Sequence, residues 1–254
     1  MSKLESKVAV ITGGAQGIGY GIAKAFAREG ASLVVAGRTQ SRLDQAADVL
    51  RAAPYDAKVL PLAVDISTTA GVEQTVERTL AEFGQLDILV NNAVGGTDTK
   101  PFAETTDEYM QEALDINLFG AFRLMKCAYP HLKQAKGRVI NMVSGYGTEG
   151  WANQVAYVAT KEAIRAMTVC SAREWGPEGI NVNAIAPFAM SDAMTNYREV
   201  NPEEFDALQQ TVPLRYIGDP ETDVGPVAVF LASADGRYIT GRTIMADGGL
   251  FGFR

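Results

Sequence analysis

The stretch KVAVITGGAQGIGYGIAKAFAREG, residues 7–30, determines the fold of this 254-residue chain. Its first six residues are mostly apolar and rich in β-branched side chains, a pattern that predicts a buried strand. A glycine-rich turn follows at 13–19, and the amphipathic run that ends at Gly30 predicts a helix. A helix N-terminus behind a strand and a glycine turn binds phosphate, and bare glycines let the backbone approach a pyrophosphate. The stretch therefore predicts a nucleotide-binding unit, with an ordinary flexible turn as the alternative.

The next apolar run, ASLVVAGR at 31–38, predicts the second strand of a βαβ unit. In dinucleotide folds an acidic residue about 20 positions past the glycines holds the ribose 2′-hydroxyl. Here Gly37 and Arg38 stand at that place, and the first acid is Asp44. Because a guanidinium suits a 2′-phosphate, we expect NADP(H) as the cofactor. NAD(H) is the alternative, with Arg38 as a solvated loop residue or one that stacks on adenine.

Strand patterns alternate with helix patterns over the whole length. Five further strands are predicted at 57–67, 86–93, 137–144, 179–187 and 242–249. Such alternation predicts an α/β fold, a single-domain Rossmann-type doubly wound parallel sheet of about seven strands with helices on both faces. Since neither a repeat nor a linker interrupts residues 1–254, we expect one domain. Polar side chains such as Asp65, Asn91 and Asn92 follow predicted strands and so belong to the ligand-binding edge.

Composition excludes several classes of protein. The net charge of −7 argues against nucleic acid as a partner. Two distant cysteines and a single histidine, His131, exclude a disulfide framework, a Ser/His/Asp triad and the common zinc sites, so we expect no metal. No apolar run approaches the ~20 residues that a membrane span needs. The first strand begins within seven residues of Met1, which leaves no room for a signal peptide, and a cytoplasmic location is expected.

Tyr157 and Lys161 lie four residues apart in a segment with a helical pattern, so both side chains share one face. A nearby ammonium favours phenolate, which predicts a lowered pKa for Tyr157 and proton transfer near neutral pH. Ser144 follows the predicted strand GRVINMVS and therefore lies at the carboxyl edge of the sheet. The Tyr157–Lys161 pair alone is weak evidence for catalysis, because most tyrosine–lysine pairs with this spacing lie on helix surfaces.

Taken together, these motifs resemble those of the short-chain dehydrogenase/reductases. The resemblance covers nearly the full length and is carried by TGxxxGxG at 12–19, NNA at 91–93, NVNAIAP at 181–187, YITG at 238–241 and DGG at 247–249. It implies a catalytic tetrad of Asn117, Ser144, Tyr157 and Lys161. Tyr157 would exchange the proton, Ser144 would hold the substrate oxygen, Lys161 would bind ribose and tune Tyr157, and Asn117 would hold a relay water. The cofactor contacts that it implies are Gly13, Gln16, Gly17, Ile18, Gly19, Arg38, Asp65, Ile66, Asn92, Ala93, Val94, Tyr157, Lys161, Pro187, Phe188, Ala189 and Ser191.

The sequence departs from the family pattern at two glycines, which are Val94 and Phe188 here. Both changes affect the expected pose of the cofactor or the substrate. In the glycine turn, Gln16 stands where NADP-preferring members often carry a basic residue. The segment at 188–213 mixes polar and apolar residues and predicts a helical flap over the site, with ordinary surface helices as the alternative.

The predicted function is an NADP(H)-dependent oxidoreductase that interconverts a small apolar or cyclic ketone and its secondary alcohol. The segment Pro177–Gly179 is acidic because of Glu178. An acyl-carrier protein, which is negatively charged, is therefore not expected as a partner. Alternatives are an NAD-dependent alcohol dehydrogenase that works oxidatively, a halohydrin dehalogenase-like lyase and a non-catalytic nucleotide-binding protein. Family resemblance implies a homotetramer, and the C-terminal GGLFGFR is a candidate to reach a neighbouring subunit. The expected substrate pocket consists of Gly145, Trp151, Phe188, Met190 and Met194.

Overall fold

A computed structural model describes residues 2–52 and 54–252 of the chain. All seven strands of its sheet are parallel, in the order β3-β2-β1-β4-β5-β6-β7. The predicted sheet is thus confirmed, with its order reversing at β1. The strands are β1 (Val8–Thr12), β2 (Ser32–Gly37), β3 (Val59–Ala63), β4 (Ile88–Asn91), β5 (Arg138–Met142), β6 (Asn181–Pro187) and β7 (Thr243–Ala246).

Helices cover both faces of this sheet. They are α1 (Gly17–Arg28), α2 (Gln40–Arg51), α3 (Thr69–Phe83), α4 (Asp107–Ala113), α5 (Gly120–Ala135), α6 (Gly145–Glu149), α7 (Val155–Trp175), α8 (Asp192–Val200), α9 (Pro202–Thr211) and α10 (Gly225–Ala232). Two π-helical turns (Leu114–Phe119 and Pro220–Val224) and three 3₁₀ turns (Phe102–Glu104, Gly176–Glu178 and Ala234–Gly236) complete the regular structure.

The strands alternate between two apolar cores because successive side chains point to opposite faces. Ile11 of β1 joins α1, α2 and α10 in the first core, whereas Val10 joins α3, α5 and α7 in the second. Because helices cover both faces of the sheet, the strands do not alternate between apolar and polar residues. This explains why the strand signals in the sequence are continuous apolar runs.

One predicted helix differs from its prediction. The helical pattern over 104–133 is divided in the structure into α4, the π-helical turn Leu114–Phe119 and α5. Asn117 lies in the π-helical turn, a local widening of the helix that is common at functional sites. The flap region at 188–213 forms α8 and α9, in agreement with the predicted helices.

The C-terminal tail contacts its own chain at Phe251. The ring of Phe251 lies edge-on to Tyr146. The carboxylate of Asp247 holds this turn, since it accepts hydrogen bonds from the backbone of Gly249 and Phe251. Phe253, the other phenylalanine of the tail, lies outside the described residues.

Within residues 2–52 and 54–252, no helix has both the length and the apolar character required to cross a bilayer. The same residues contain no group of three or more His, Cys, Asp or Glu side chains arranged to hold a metal ion.

Candidate active site

The carboxyl ends of β1, β4 and β5 meet where the strand order reverses, and the polar residues that follow these strands gather there. Ser144 follows β5 directly and caps α6, because its Oγ accepts the backbone N–H of Tyr146 at 3.2 Å. The next helix, α7, carries Tyr157 and Lys161 in its first two turns. The structure thus brings the three predicted residues to one edge of the sheet.

Lys161 is buried, with 3% of its surface exposed. Its Nζ donates a hydrogen bond to the carbonyl of Met142 at 2.8 Å and lies 5.7 Å from the ring centroid of Tyr157. Burial disfavours the ammonium and lowers the pKa of Lys161 to about 8. The lysine can therefore change its protonation state close to physiological pH.

The pKa of Tyr157 is raised in the structure, whereas the sequence predicted that it is lowered. Burial of the hydroxyl raises the pKa of Tyr157, a hydrogen bond with Ser144 lowers it in part, and Tyr146 raises it further. The predicted lowering by Lys161 does not dominate, because the phenolate loses water and the lysine is directed to the Met142 carbonyl. Ser144 is the neighbour that favours the phenolate.

Asn117 is 2% exposed, and both the oxygen and the nitrogen of its amide make hydrogen bonds. Its Oδ1 accepts the N–H of Gly95 at 2.9 Å, and its Nδ2 donates to the Gly95 carbonyl and to Thr160 Oγ1. The amide therefore joins the loop after β4 to α7. Gly96 is the position where this loop needs a glycine, since its φ is +66° and a Cβ there would lie 2.6 Å from Ala113 Cβ. Val94, in contrast, is 46% exposed, so its extra side chain fits without crowding this contact.

A small enclosed cavity of about 10 Å³ lies between Asn117, Lys161 and Asn91. That volume corresponds to a single water. Among the described residues, Asn91 Oδ1 is buried without a hydrogen-bond partner, while its Nδ2 donates to Asn141 Oδ1. The cavity thus offers polar partners to one water beside the lysine. Its lining is Thr12, Ile66, Asn91, Ala93, Ile116, Asn117, Ala121, Lys161 and Ile164.

The glycine turn is fixed by two side chains from neighbouring strand ends. Thr12 Oγ1 accepts the N–H groups of Asn92 and Ala93 at 2.9 and 3.0 Å. Asn92 Nδ2 donates to the carbonyls of Thr12 and Gly13. The Asn92 side chain therefore holds the ends of β1 and β4 together.

Two glycines of the turn, Gly19 and Gly17, are glycine for different structural reasons. A Cβ on Gly19 would collide with the Gly13 carbonyl and with Asn92, so this glycine is required by the packing of the turn itself. Gly17 has a φ of +51°, and a Cβ there would make ordinary van der Waals contacts with Ser191 and Asp192 at 3.6–3.7 Å. The N-termini of α1 and α8 meet at this point. Two helix dipoles beside a bare Cα fit the pyrophosphate of a dinucleotide.

The opposite end of the cleft is open and charged. Arg38 is exposed and lines a cavity of about 660 Å³ together with Asp65. Five of the nine lining residues are acidic: Asp65, Asp107, Glu108, Glu112 and Asp115. Sequence reasoning missed Arg42, whose guanidinium donates a hydrogen bond to the Gln16 side chain across the glycine turn. Its position four residues after Arg38 was the signal available.

The expected pocket residues divide into two groups. Trp151 is exposed and stacks on Tyr146, with ring centroids 4.7 Å apart, close to Ser144. Phe188 is 6% exposed and lies in the core of the flap, with Met190 and Met194 packed against the same cluster. Phe188 therefore supports the flap from within. The cluster is formed by Phe188, Phe205, Val212 and Ile217.

The remaining predicted cofactor residues lie around these features. Pro187 ends β6, Ala189 is buried and bridges to Gly218, and Ser191 caps α8. Ile18 packs on the first core, and Ile66 and Ala93 line the small cavity.

Known proteins resemble this chain over nearly its full length. Residues 13–251 match the family model described as Enoyl-(Acyl carrier protein) reductase. The chain is 40% identical over 256 residues to a 12alpha-hydroxysteroid dehydrogenase from a Clostridium species, with 98% of each protein covered. It is 34% identical to a 3-oxoacyl-[acyl-carrier-protein] reductase from Thermotoga maritima, covering 98% of this chain and 99% of that protein. The crystal structure of levodione reductase superposes with a TM-score of 0.90 at 31% identity, covering 97% of this chain and 98% of that one.

Proposed function

Because the chain belongs to the short-chain dehydrogenase/reductase family, we propose that it interconverts a small apolar or cyclic ketone and its secondary alcohol, with NADP(H) as the cofactor. Members of this family act on CH–OH groups and use NAD(P)(H). The observation that carries the proposal is the shared placement of Ser144, Tyr157 and Lys161 at the reversal point of the sheet. Lysine burial and its pKa of about 8 suit a group that assists proton transfer near neutral pH.

In the reductive direction, Tyr157 donates its phenolic proton to the carbonyl oxygen of the substrate. Ser144 hydrogen-bonds the same oxygen and stabilises the charge that develops on it. When bound, the nicotinamide cofactor supplies the hydride. The phenolate left on Tyr157 is favoured by its hydrogen bond with Ser144.

The proton that Tyr157 loses is replaced through Lys161. The small cavity beside Asn117 and Asn91 has the size and the polar lining for a water that accepts and returns a proton at Nζ. Asn117 serves this path by holding the loop at Gly95 and α7 in register. The catalytic tetrad would thus combine two reacting groups, a relay lysine and a positioning amide.

Two arginines support the preference for NADP(H). Arg38 follows β2, and Arg42 is joined to Gln16 at the start of α1, so both guanidinium groups flank the place expected for the adenosine ribose. Paired hydrogen bonds and charge would favour a 2′-phosphate. The five carboxylates around Arg38 oppose an added anion, and for this reason NAD(H) with an oxidative reaction is the second candidate.

The substrate class rests on the apolar surroundings of Ser144. Trp151, Tyr146 and the methionines of the flap at about 188–213 provide aromatic and flexible apolar surface. The names of two similar proteins, a 12alpha-hydroxysteroid dehydrogenase and levodione reductase, indicate cyclic substrates. They support a cyclic substrate for this chain as well. An acyl-carrier protein is a less suitable partner, since Glu178 adds negative charge beside β6.

We also propose that the protein is cytoplasmic and that it assembles as a homotetramer. Phe119 and Phe122 expose 37% and 48% of their surface around the start of α5, and subunit pairing would cover them. A monomeric mass by light scattering at micromolar concentration would contradict this assembly.

Tyr157→Phe tests the function directly. We expect the turnover number for a cyclic ketone to fall by about 1,000-fold, because the proton donor is removed. Binding of NADPH, measured by fluorescence titration, should change less than about twofold, because the ring remains. Undiminished turnover in this variant would show that another group donates the proton.

A further inference from the structure

The C-terminal tail after β7 is built to hold one aromatic ring beside the active site. Both oxygens of the Asp247 carboxylate are used: Oδ1 accepts the N–H of Gly249 at 3.0 Å, and Oδ2 accepts the N–H of Phe251 at 2.9 Å. Asp247 itself is buried. The tail therefore leaves the sheet in a defined turn that fixes the position of the Phe251 backbone.

The Phe251 ring lies on the residue that follows the serine of the tetrad. A Cβ on Gly145 would collide with the ring, so the phenyl group is in direct contact with the backbone next to Ser144. The ring is also edge-on to Tyr146, with centroids 5.5 Å apart, and Tyr146 stacks in turn on Trp151. Gly145 thus provides room for the phenyl group at the mouth of the site.

The opposite edge of Phe251 reaches the flap. It meets Phe188 edge-on at 5.9 Å and packs against the apolar cluster that α8 and α9 share. A continuous row of rings, Trp151, Tyr146, Phe251 and Phe188, therefore runs from the catalytic loop to the flap. Phe251 is only partly buried, so apolar surface remains available beside Ser144.

We propose that Phe251 is a specificity-determining residue, a phenyl wall that Asp247 positions between the catalytic loop and the flap and that selects ketones with a ring-shaped body. The proposal rests on the proposed function of the site. A flat or cyclic apolar body can lie against a fixed ring over much of its surface, whereas a short linear ketone covers little of it. Fixing the ring through the buried carboxylate reduces the entropy that binding would otherwise cost.

The test measures ketone binding without turnover. In a Trp175→Phe background, Trp151 is the one remaining tryptophan, and its fluorescence reports on ligands beside Tyr146. 2-Decalone and 2-butanone are titrated separately in the presence of NADP+. We expect Phe251→Ala to weaken binding of 2-decalone by about 10-fold, since an apolar contact of one phenyl face is lost. Binding of 2-butanone should weaken by less than about threefold.

Two variants and a control sharpen the result. Asp247→Asn can satisfy only one of the two N–H groups, so it should weaken binding of 2-decalone by roughly threefold. Phe251→Leu keeps part of the apolar wall and should restore part of the affinity. Tyr238→Ala removes an aromatic ring that is almost fully exposed and should leave both ketones as in the wild type.

The steady-state constants separate this proposal from the proposed function. For 2-decalone, Phe251→Ala should raise KM with little change in kcat, whereas Tyr157→Phe should lower kcat with little change in KM. Equal losses for both ketones would assign the tail a purely structural role and overturn the proposal. It is also overturned if 2-decalone fails to bind the wild type, or binds Phe251→Ala with unchanged affinity.

Discussion

The two halves of the cleft differ in how their side chains are held. In the catalytic half, Lys161, Asn117 and Asn92 are bonded to backbone carbonyls, and bare glycines let neighbouring segments touch. In the half around Arg38, the side chains are exposed and the lining is mainly acidic. Packing and buried hydrogen bonds thus fix the side chains of the catalytic half, whereas the half around Arg38 consists mainly of solvated charged side chains.

This difference predicts where a small change has a large effect. A single methyl group in the packed half should cost more free energy than the loss of a whole arginine in the open half. Close-packed backbone has no room for added atoms, whereas an exposed side chain is largely replaced by water. The following experiments test this contrast, from the largest expected effect to the smallest.

Gly19→Ala should lower the free energy of unfolding by about 3 kcal/mol, because the new Cβ collides with the Gly13 carbonyl and Asn92. Gly17→Ala should cost only about 1 kcal/mol, since its φ of +51° is strained for alanine but the new Cβ makes only ordinary van der Waals contacts. Urea unfolding measures both values. Gly176→Ala, at a glycine with no neighbour within 4 Å, is the control and should stay within about 0.5 kcal/mol. Equal losses at Gly19 and Gly17 would contradict the packing argument.

Lys161 makes stability depend on pH. Its folded pKa of about 8 is below the unfolded value of 10.5, so between these values the unfolded chain binds more protons and stability rises with pH. From pH 7 to 9.5 we expect this group to add about 2 kcal/mol to the free energy of unfolding. The measurement is urea unfolding across this range, with Lys161→Met expected to remove the rise.

The exposed Lys126 provides the matched control, since Lys126→Met should retain the pH dependence of the wild type. If Lys161→Met rises with pH as steeply as the wild type, the lysine is not the titrating group. The window ends below pH 10 to limit the contribution from titration of tyrosines in the unfolded chain.

In the open half, Arg38→Ala should weaken binding of NADPH by about 30-fold and leave NADH almost unchanged, because a charged hydrogen bond to the 2′-phosphate is lost. Fluorescence titration of both cofactors measures the ratio. The free energy of unfolding should change by less than about 0.5 kcal/mol. Tighter binding of NADH than NADPH by the wild type would favour the oxidative alternative.

The smallest effect is expected for Arg42→Ala, which should weaken NADPH binding by roughly threefold, since an exposed charge contributes less than about 1 kcal/mol. Arg78→Ala, an exposed arginine on α3, should leave binding unchanged. An effect of Arg42→Ala on NADH as large as that on NADPH would show that Arg42 positions Gln16 rather than reading the phosphate.

Sequence reasoning predicted the seven-stranded parallel sheet well. The reason is local: apolar runs, glycine turns and i,i+4 spacings record the conformation of neighbouring residues. It did not predict the division of 104–133 at Asn117, where Gly95 and Thr160 bind the amide from other segments. The raised pKa of Tyr157 was also missed, because burial cannot be read from spacing.

The sequence by itself determined a seven-stranded parallel fold, a glycine turn at the start of α1 and a Tyr–Lys pair on one helix. Only the tertiary structure decided which glycine is required by packing, that Arg42 meets Gln16 and that Phe251 returns to Gly145. These contacts join residues far apart in the chain. They depend on burial and on the distance between elements, which no local pattern of side chains encodes.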